Sequence, residues 1–169
     1  MKRSFEVVFV HTYSHKTIPI FSIMDNSTFK NCLYYWIFAI VISVNVVRNS
    51  QKYLTLNSEV QDVGLAMWIA SELLNGYSHL QLRKLRSKGS LGHFLPRGFL
   101  FNTITCPNYT FEILSWVGFT MYVQTYTAAL FPVCGGVQML LWADEKRKRL
   151  ATKWPEVMHR GRITPFPFL

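Results

Sequence analysis

The sequence predicts an all-α fold, a multi-pass bundle of transmembrane helices, and three observations predict it. Half of the 169 residues are hydrophobic and 15% are aromatic, while only 16% are charged, against about 25% in an ordinary soluble domain. The apolar residues gather into runs of membrane length. The basic residues, which give a net charge of +9, stand in short blocks at the ends of those runs, as juxtamembrane clusters do. A nucleic-acid binder would spread them over a face or groove instead, so no nucleic-acid partner is expected. The length suits one domain, 1–169.

The first residues, MKRSFEVVFVHTYSHK, have the basic start of a signal peptide. His11 interrupts the apolar stretch and no small-residue cleavage site follows, so the segment reads as the end of a membrane helix whose beginning is absent. Pro19 closes it. The first clear crossing is 32–47, CLYYWIFAIVISVNVV, between Lys30 and Arg48. Its Tyr34, Tyr35 and Trp36 suit a membrane interface. A polar link leads to a second run, 60–82, made amphipathic by Glu72, Asn75 and His79. A loop follows with a basic patch of Arg83, Lys84, Arg86, Lys88 and Arg97.

The run 111–142 holds no basic residue. As one helix it would measure roughly 48 Å at 1.5 Å per residue, too long for one crossing. A start near Thr105 and a turn within 124–127 make it a two-helix hairpin, with Pro132, Gly135 and Gly136 kinking the second helix or admitting a neighbour. The basic clusters 83–97 and 146–162 then fall on one side of the membrane, the cytosolic one. The count is about four crossings plus a partial N-terminal helix.

Several constellations could carry chemistry. The three cysteines, Cys32, Cys106 and Cys134, are scattered and odd in number, and each is expected to be a small buried residue. His11 and His15 share a helical face, but no second paired cluster completes a metal site. Asn75, His79, Arg83 and Arg86 recur at spacings of 4, 4 and 3, along one helical face. An amide and an imidazole leading into two guanidiniums suit a phosphorylated ligand, and positive-inside anchoring accounts equally well for the arginines. There is neither a GxGxxG nor a P-loop. The sequons at 26–28 and 108–110 both fall on the predicted cytosolic side and read as chance matches. The densest stretch is 96–119, PRGFLFNTITCPNYTFEILSWVGF, where Asn108, Tyr109 and Glu112 open an apolar run. An ionisable residue in such a place is a functional candidate by default, although Tyr109 also suits an interfacial aromatic.

The motifs QLRKLRSKGS, LPRGFLFNTITCPNYTFEILSWVGF and a basic tail ending PFPFL, with KRSFEVVFVHTYSHKTIPI and KNCLYYW before them, resemble the steroid 5α-reductase superfamily. Within it the match is closest to the trans-2-enoyl-CoA reductases of very-long-chain fatty acid elongation. It spans nearly the whole chain and is weakest over 43–71. The resemblance implies a multi-pass enzyme of the endoplasmic reticulum membrane, an oxidoreductase that uses NADPH to reduce the trans-2 double bond of a long-chain enoyl-CoA, a step that serves sphingolipid metabolism. It also implies membrane lipids as surroundings and other elongation enzymes as partners. Carried over by position, Asn75, His79, Arg83, Arg86, Asn108 and Glu112 bind the cofactor. Tyr109 is the proton donor and Lys2 an electrostatic helper. Near the tail, where the family has KHRxYL, this chain has KRKRL, which puts Arg147 and Leu150 at the family's His and Tyr. Family members also carry a longer N-terminal part. The alternatives are a steroid or polyprenol enone reductase of the same superfamily, and a shortened, non-catalytic paralogue that acts as a membrane partner of the elongation machinery.

Overall fold

The structure, a computed structural model, describes residues 27–49, 57–85 and 94–163. Four α-helices account for most of them: α1 (Ser27–Arg48), α2 (Ser58–Lys84), α3 (Pro107–Val123) and α4 (Tyr126–Ala151). Short 3-10 turns occupy Phe99–Asn102 and Pro155–His159. Among the described residues the only β pairing is an isolated parallel bridge between Ile104 and Gly161. The all-α expectation holds.

Local signals set the helix ends. Asn57 caps α2 by accepting from the Val60 N–H at 3.2 Å, with Glu59 in the first turn and Arg83 and Lys84 in the last, where each sign complements the helix dipole. Pro107 starts α3, where its missing N–H costs nothing. That start lies two residues beyond the expected Thr105. Gln124 ends α3 in the left-handed conformation at φ 50°, and Thr125 at once caps α4 by accepting from the Ala128 N–H. The hairpin thus turns within the expected 124–127.

The α2–α3 pair is the centre of the fold. Gly64 lies against Gly118 and Gln61 against Tyr122 near one end, and Asn75 against Asn108 at the other, so the helices run antiparallel. A Cβ on Gly118 would stand 2.6 Å from the Trp68 backbone nitrogen. The backbones touch there because neither glycine has a side chain. α4 packs on α3, and α1 leans on both through an aromatic cluster. Phe131 is the hub, with Trp116 at 4.5 Å and Tyr34 at 5.2 Å between ring centroids.

Proline within α4 leaves the Ala128 carbonyl without its i+4 donor, since Pro132 has no N–H. The Thr120 hydroxyl from α3 reaches that carbonyl at 3.0 Å. A neighbouring helix restores what proline removes.

The aromatic triplet divides, and the expectation for the cysteines changes. Tyr34 and Tyr35 turn inward while Trp36 faces out. Trp36 is 70% exposed, whereas Tyr34 donates to the Phe131 carbonyl at 2.6 Å and Tyr35 turns towards α3. Adjacent residues on a helix diverge by about 100°, so one aromatic triplet has two fates. Of the cysteines, Cys106 is buried while Cys32 and Cys134 are exposed on the outer faces of α1 and α4. Among the described residues, α4 is the one helix long and apolar enough to cross a membrane, and 32–48 forms a shorter apolar helix. α2 carries Asp62, Glu72 and His79, and α3 is 17 residues long, so neither reaches that standard alone.

Candidate functional site

The polar end of the bundle is built by clamping one segment. Residues 94–106 enter α3, and the chain after α4 returns to hold them. The Thr105 N–H donates to Gly161 O at 2.8 Å and the Cys106 N–H to Arg162 O at 3.0 Å. The Gly161 N–H donates back to Thr103 O, and Thr110 bonds the Ile163 carbonyl. Arg160, buried, donates from one guanidinium nitrogen to the carbonyls of Pro96 at 2.9 Å and Phe101 at 2.6 Å. Burial lowers its pKa from the ordinary guanidinium value, and it stays a cation at neutral pH. Beside this clamp Asp144 gathers Arg162 at 2.8 Å, Lys148 at 2.7 Å and Arg147 at 3.6 Å. The first turn of α3 is thereby fixed from both sides.

That turn carries three polar groups, with Asn108 and Glu112 on one face and Tyr109 to the side of it. The Asn108 backbone meets α2, where the Asn75 side-chain amide donates to the Asn108 carbonyl at 3.3 Å. A carbonyl only accepts, so the Asn75 nitrogen points at it and the Asn75 oxygen points away. That oxygen and the Asn108 side-chain oxygen are both buried with no hydrogen-bond partner. Asn75 is 0% exposed. Buried acceptors of this kind cost about 1–3 kcal/mol each when left unmade, which makes these two asparagines the candidate ligand contacts. Tyr109 stands about 100° round the helix from Asn108, packing near Cys106, Ala143 and Ile163 with its ring 6.5 Å from Trp142. Glu112, one turn on from Asn108, accepts a long hydrogen bond from the Tyr35 hydroxyl at 3.4 Å.

Along α2 the predicted face grades outwards. Asn75 is buried, His79 half-buried and Arg83 exposed. Arg147 is buried rather than presented to a cleft, and donates to the Arg160 carbonyl at 3.2 Å besides pairing with Asp144. Leu150 packs with Leu95, Val157 and Trp154. Lys2 and Arg86, like His11 and His15, lie outside the described residues. The structure therefore brings Asn75 and Asn108 into contact, and sets Tyr109 and Glu112 on adjoining faces of the same helical turn. The sequon asparagine Asn108 is buried, in keeping with a chance match.

The family model described as 3-oxo-5-alpha-steroid 4-dehydrogenase matches residues 16–169. The chain belongs to that family. It is 41% identical over its whole length to the very-long-chain enoyl-CoA reductase of Dictyostelium discoideum, of which it covers 54%. It is 34% identical over 98% of its length to a probable very-long-chain enoyl-CoA reductase of Caenorhabditis elegans, again covering 54%. A human relative named trans-2,3-enoyl-CoA reductase-like is 26% identical over 95% of the chain, which covers 45% of it. The chain spans about half the length of these relatives.

For a member of this family the paired amides are the informative feature. Two unpartnered oxygens suit a group that brings N–H donors, as a carboxamide does, and a graded run from amide to imidazole to guanidinium suits the phosphates beyond it. The residues present fit a nicotinamide dinucleotide on those grounds. Residue reading missed Tyr35. The repeat of Tyr34, Phe38 and Ile42 at spacings of four marks an inward face of α1 but passes through Tyr34 and leaves Tyr35 about 100° to its side. It also missed Thr105, whose buried hydroxyl has no partner and which no motif singles out.

Proposed function

We propose that this chain reduces the trans-2 double bond of a long-chain enoyl-CoA with NADPH, in the last step of very-long-chain fatty acid elongation. We place it in the endoplasmic reticulum membrane as a single multi-pass domain with α1 to α4 as crossings. The observation that carries the reading is the contact between Asn75 and Asn108, with two buried oxygens left unpartnered one residue from Tyr109. The names of the relatives supply the substrate class.

NADPH, when bound, supplies the hydride that the β-carbon receives. The chain's own residues do the rest. Asn75 and Asn108 would accept from the carboxamide and so orient the ring, and Glu112, one turn on from Asn108, would join them in holding the cofactor. His79, Arg83 and Arg86 lead from that pair towards the cofactor's phosphates, with Arg147 bracing the base of the site through Asp144. Tyr109 holds the proton that goes to the α-carbon, and a nearby cation such as Lys2 stabilises the phenolate left behind. Burial of the amides excludes water from the reacting end.

The test is NADPH oxidation by detergent-purified protein given a long-chain trans-2-enoyl-CoA. Replacing Tyr109 by Phe keeps the ring packing and removes the proton, so turnover should fall about 10²–10⁴-fold while NADPH affinity stays unchanged. Undiminished turnover would remove Tyr109 from the mechanism. A steroid enone outcompeting the acyl-CoA would move the substrate towards the description of the family model.

One observation favours a second, non-catalytic reading. Arg147 and Leu150 stand where the family has His and Tyr, and both are engaged in packing. A paralogue that has given up cofactor binding could use them so. It would bind no NADPH while co-purifying with other elongation enzymes, and measurable NADPH binding excludes it.

A further inference from the structure

On the outer side of the clamped segment lies an open cleft of about 490 Å³ lined by Arg97, Gly98, Asn102, Glu156, His159 and Arg160. Two guanidiniums and an imidazole face one carboxylate. The floor is Arg160, a buried cation whose hydrogen bonds go to the neutral carbonyls of Pro96 and Phe101, with no carboxylate bonded to it among the described residues. Among those residues Glu156 is the one anion that acts on it across the cleft, so two guanidiniums against one carboxylate leave positive potential in that space. The rim is pre-shaped. Gly98 turns at φ 82°, its N–H donates to the Asn102 side chain at 3.0 Å, and Phe99 is pinned between the rings of Tyr77 and Phe111. Arg97 meets Glu156 at 3.7 Å, with the two side chains 73% and 51% exposed. Such a long, solvated pair contributes little, so a phosphate bringing more charge and more acceptors displaces the carboxylate.

We propose that this cleft binds the phosphates of a nucleotide-bearing ligand, and that the ligand is the acyl-CoA rather than the dinucleotide. The identity of the ligand rests on the proposed enoyl-CoA reduction. The cleft is joined to the amide pair by a single clamped segment, 94–106, which also delivers Asn108 and Tyr109. It is not lined by the residues allotted to the dinucleotide. A CoA thioester carries its nucleotide at the far end of a pantetheine arm, so its phosphates bind well away from the carbon being reduced. A separate cationic cleft at the same end of the bundle meets that requirement.

The test is equilibrium binding to the full chain in detergent, which needs no turnover. A saturated medium-chain acyl-CoA, the same acyl group on pantetheine without the nucleotide, and NADP⁺ are titrated into wild type, Arg97→Gln and Glu156→Gln. Both side chains are largely solvated, so neither change threatens the fold, and thermal unfolding verifies this. Arg97→Gln should weaken acyl-CoA binding about tenfold, the loss of one charged phosphate contact. Glu156→Gln should tighten it several-fold by removing the competing anion. Affinities for the acyl-pantetheine and for NADP⁺ should not move. Acyl-CoA affinity that ignores both changes, or a wild type that binds no acyl-CoA, overturns the proposal. A shift in NADP⁺ affinity alone overturns the choice of ligand and gives the cleft to the dinucleotide. Failure of the reductase reading is seen separately, as acyl-CoA binding that responds to Arg97 in a protein that reduces no enoyl-CoA.

Discussion

The two ends of the α2–α3 pair are made of the same two helices and obey opposite rules. At Gly64 and Gly118 the backbones close until a methyl group would collide, and no polar side chain intervenes. At Asn75 and Asn108, 11 residues further along α2 and roughly 16 Å away by helical rise, the contact is a single 3.3 Å hydrogen bond with two acceptor oxygens left over. The first end is finished by the protein itself. The second leaves two acceptors open, and under the proposed function a ligand brings their partners. Under that proposal the contrast separates stability from function along one interface, and substitutions at its two ends should differ in kind.

The largest effect is expected at the closed end. Gly118→Ala places a Cβ 2.6 Å from the Trp68 nitrogen, a backbone atom that cannot rotate aside. The overpacking should cost about 3 kcal/mol, the upper part of the usual range, and outweigh the helix propensity that alanine adds. A lowered unfolding temperature in detergent reads it out. An unchanged one would mean that the helices do not cross there at backbone distance.

At the open end Asn75→Leu should separate the two properties. It removes one long hydrogen bond and one unpartnered buried oxygen, so stability should hold or rise by about 1 kcal/mol. NADPH affinity should fall about tenfold, equivalent to 1.4 kcal/mol. A fall in stability with affinity intact would make the pair a structural contact and nothing more.

The sequence carries the elements of this arrangement better than their relations. The helices could be read because apolar runs end at Asn57, Arg83 and the 124–125 turn, where capping and charge are local signals. Asn75, His79 and Arg83 could be placed on one face by spacing alone. The direction of Tyr35 could not be read from the YYW triplet, because three adjacent aromatics cover the helix all round and composition does not say which side is lipid. The clamp of 160–163 on 94–106 was invisible for another reason. It consists of backbone hydrogen bonds and one buried arginine, and neither leaves a periodic trace. Gly64 and Gly118 lie 54 positions apart in the numbering, so their partnership emerges only once the helices are paired.

A smaller effect tests the proline in α4. The Thr120 hydroxyl has one proton to share between the Ala128 carbonyl at 3.0 Å and the Trp116 carbonyl at 2.9 Å. Thr120→Val keeps the shape and leaves the Ala128 carbonyl without either donor, since Pro132 offers none. The expected loss is about 1 kcal/mol. Adding Pro132→Ala should recover it by restoring the helical N–H, and a double variant no more stable than Thr120→Val would break the link between the two residues.

The smallest expected effect sharpens the comparison most directly, because it uses the residue type that closes the other end. Gly76 sits beside Asn75 in the interior of α2, yet a Cβ built on it meets nothing within 4 Å. Its neighbour at the closed end, Gly64, would place the same atom 2.7 Å from the Tyr122 nitrogen. In an apo protein Gly76→Ala should therefore stabilise by about 0.5–1 kcal/mol through helix propensity alone. If the empty space beside Gly76 is part of the ligand site, the same methyl should weaken NADPH or acyl-CoA binding while raising the unfolding temperature. Stabilisation with both affinities unchanged would put Gly76 outside the ligand site and confine that site to the face that carries Asn75, His79 and Arg83.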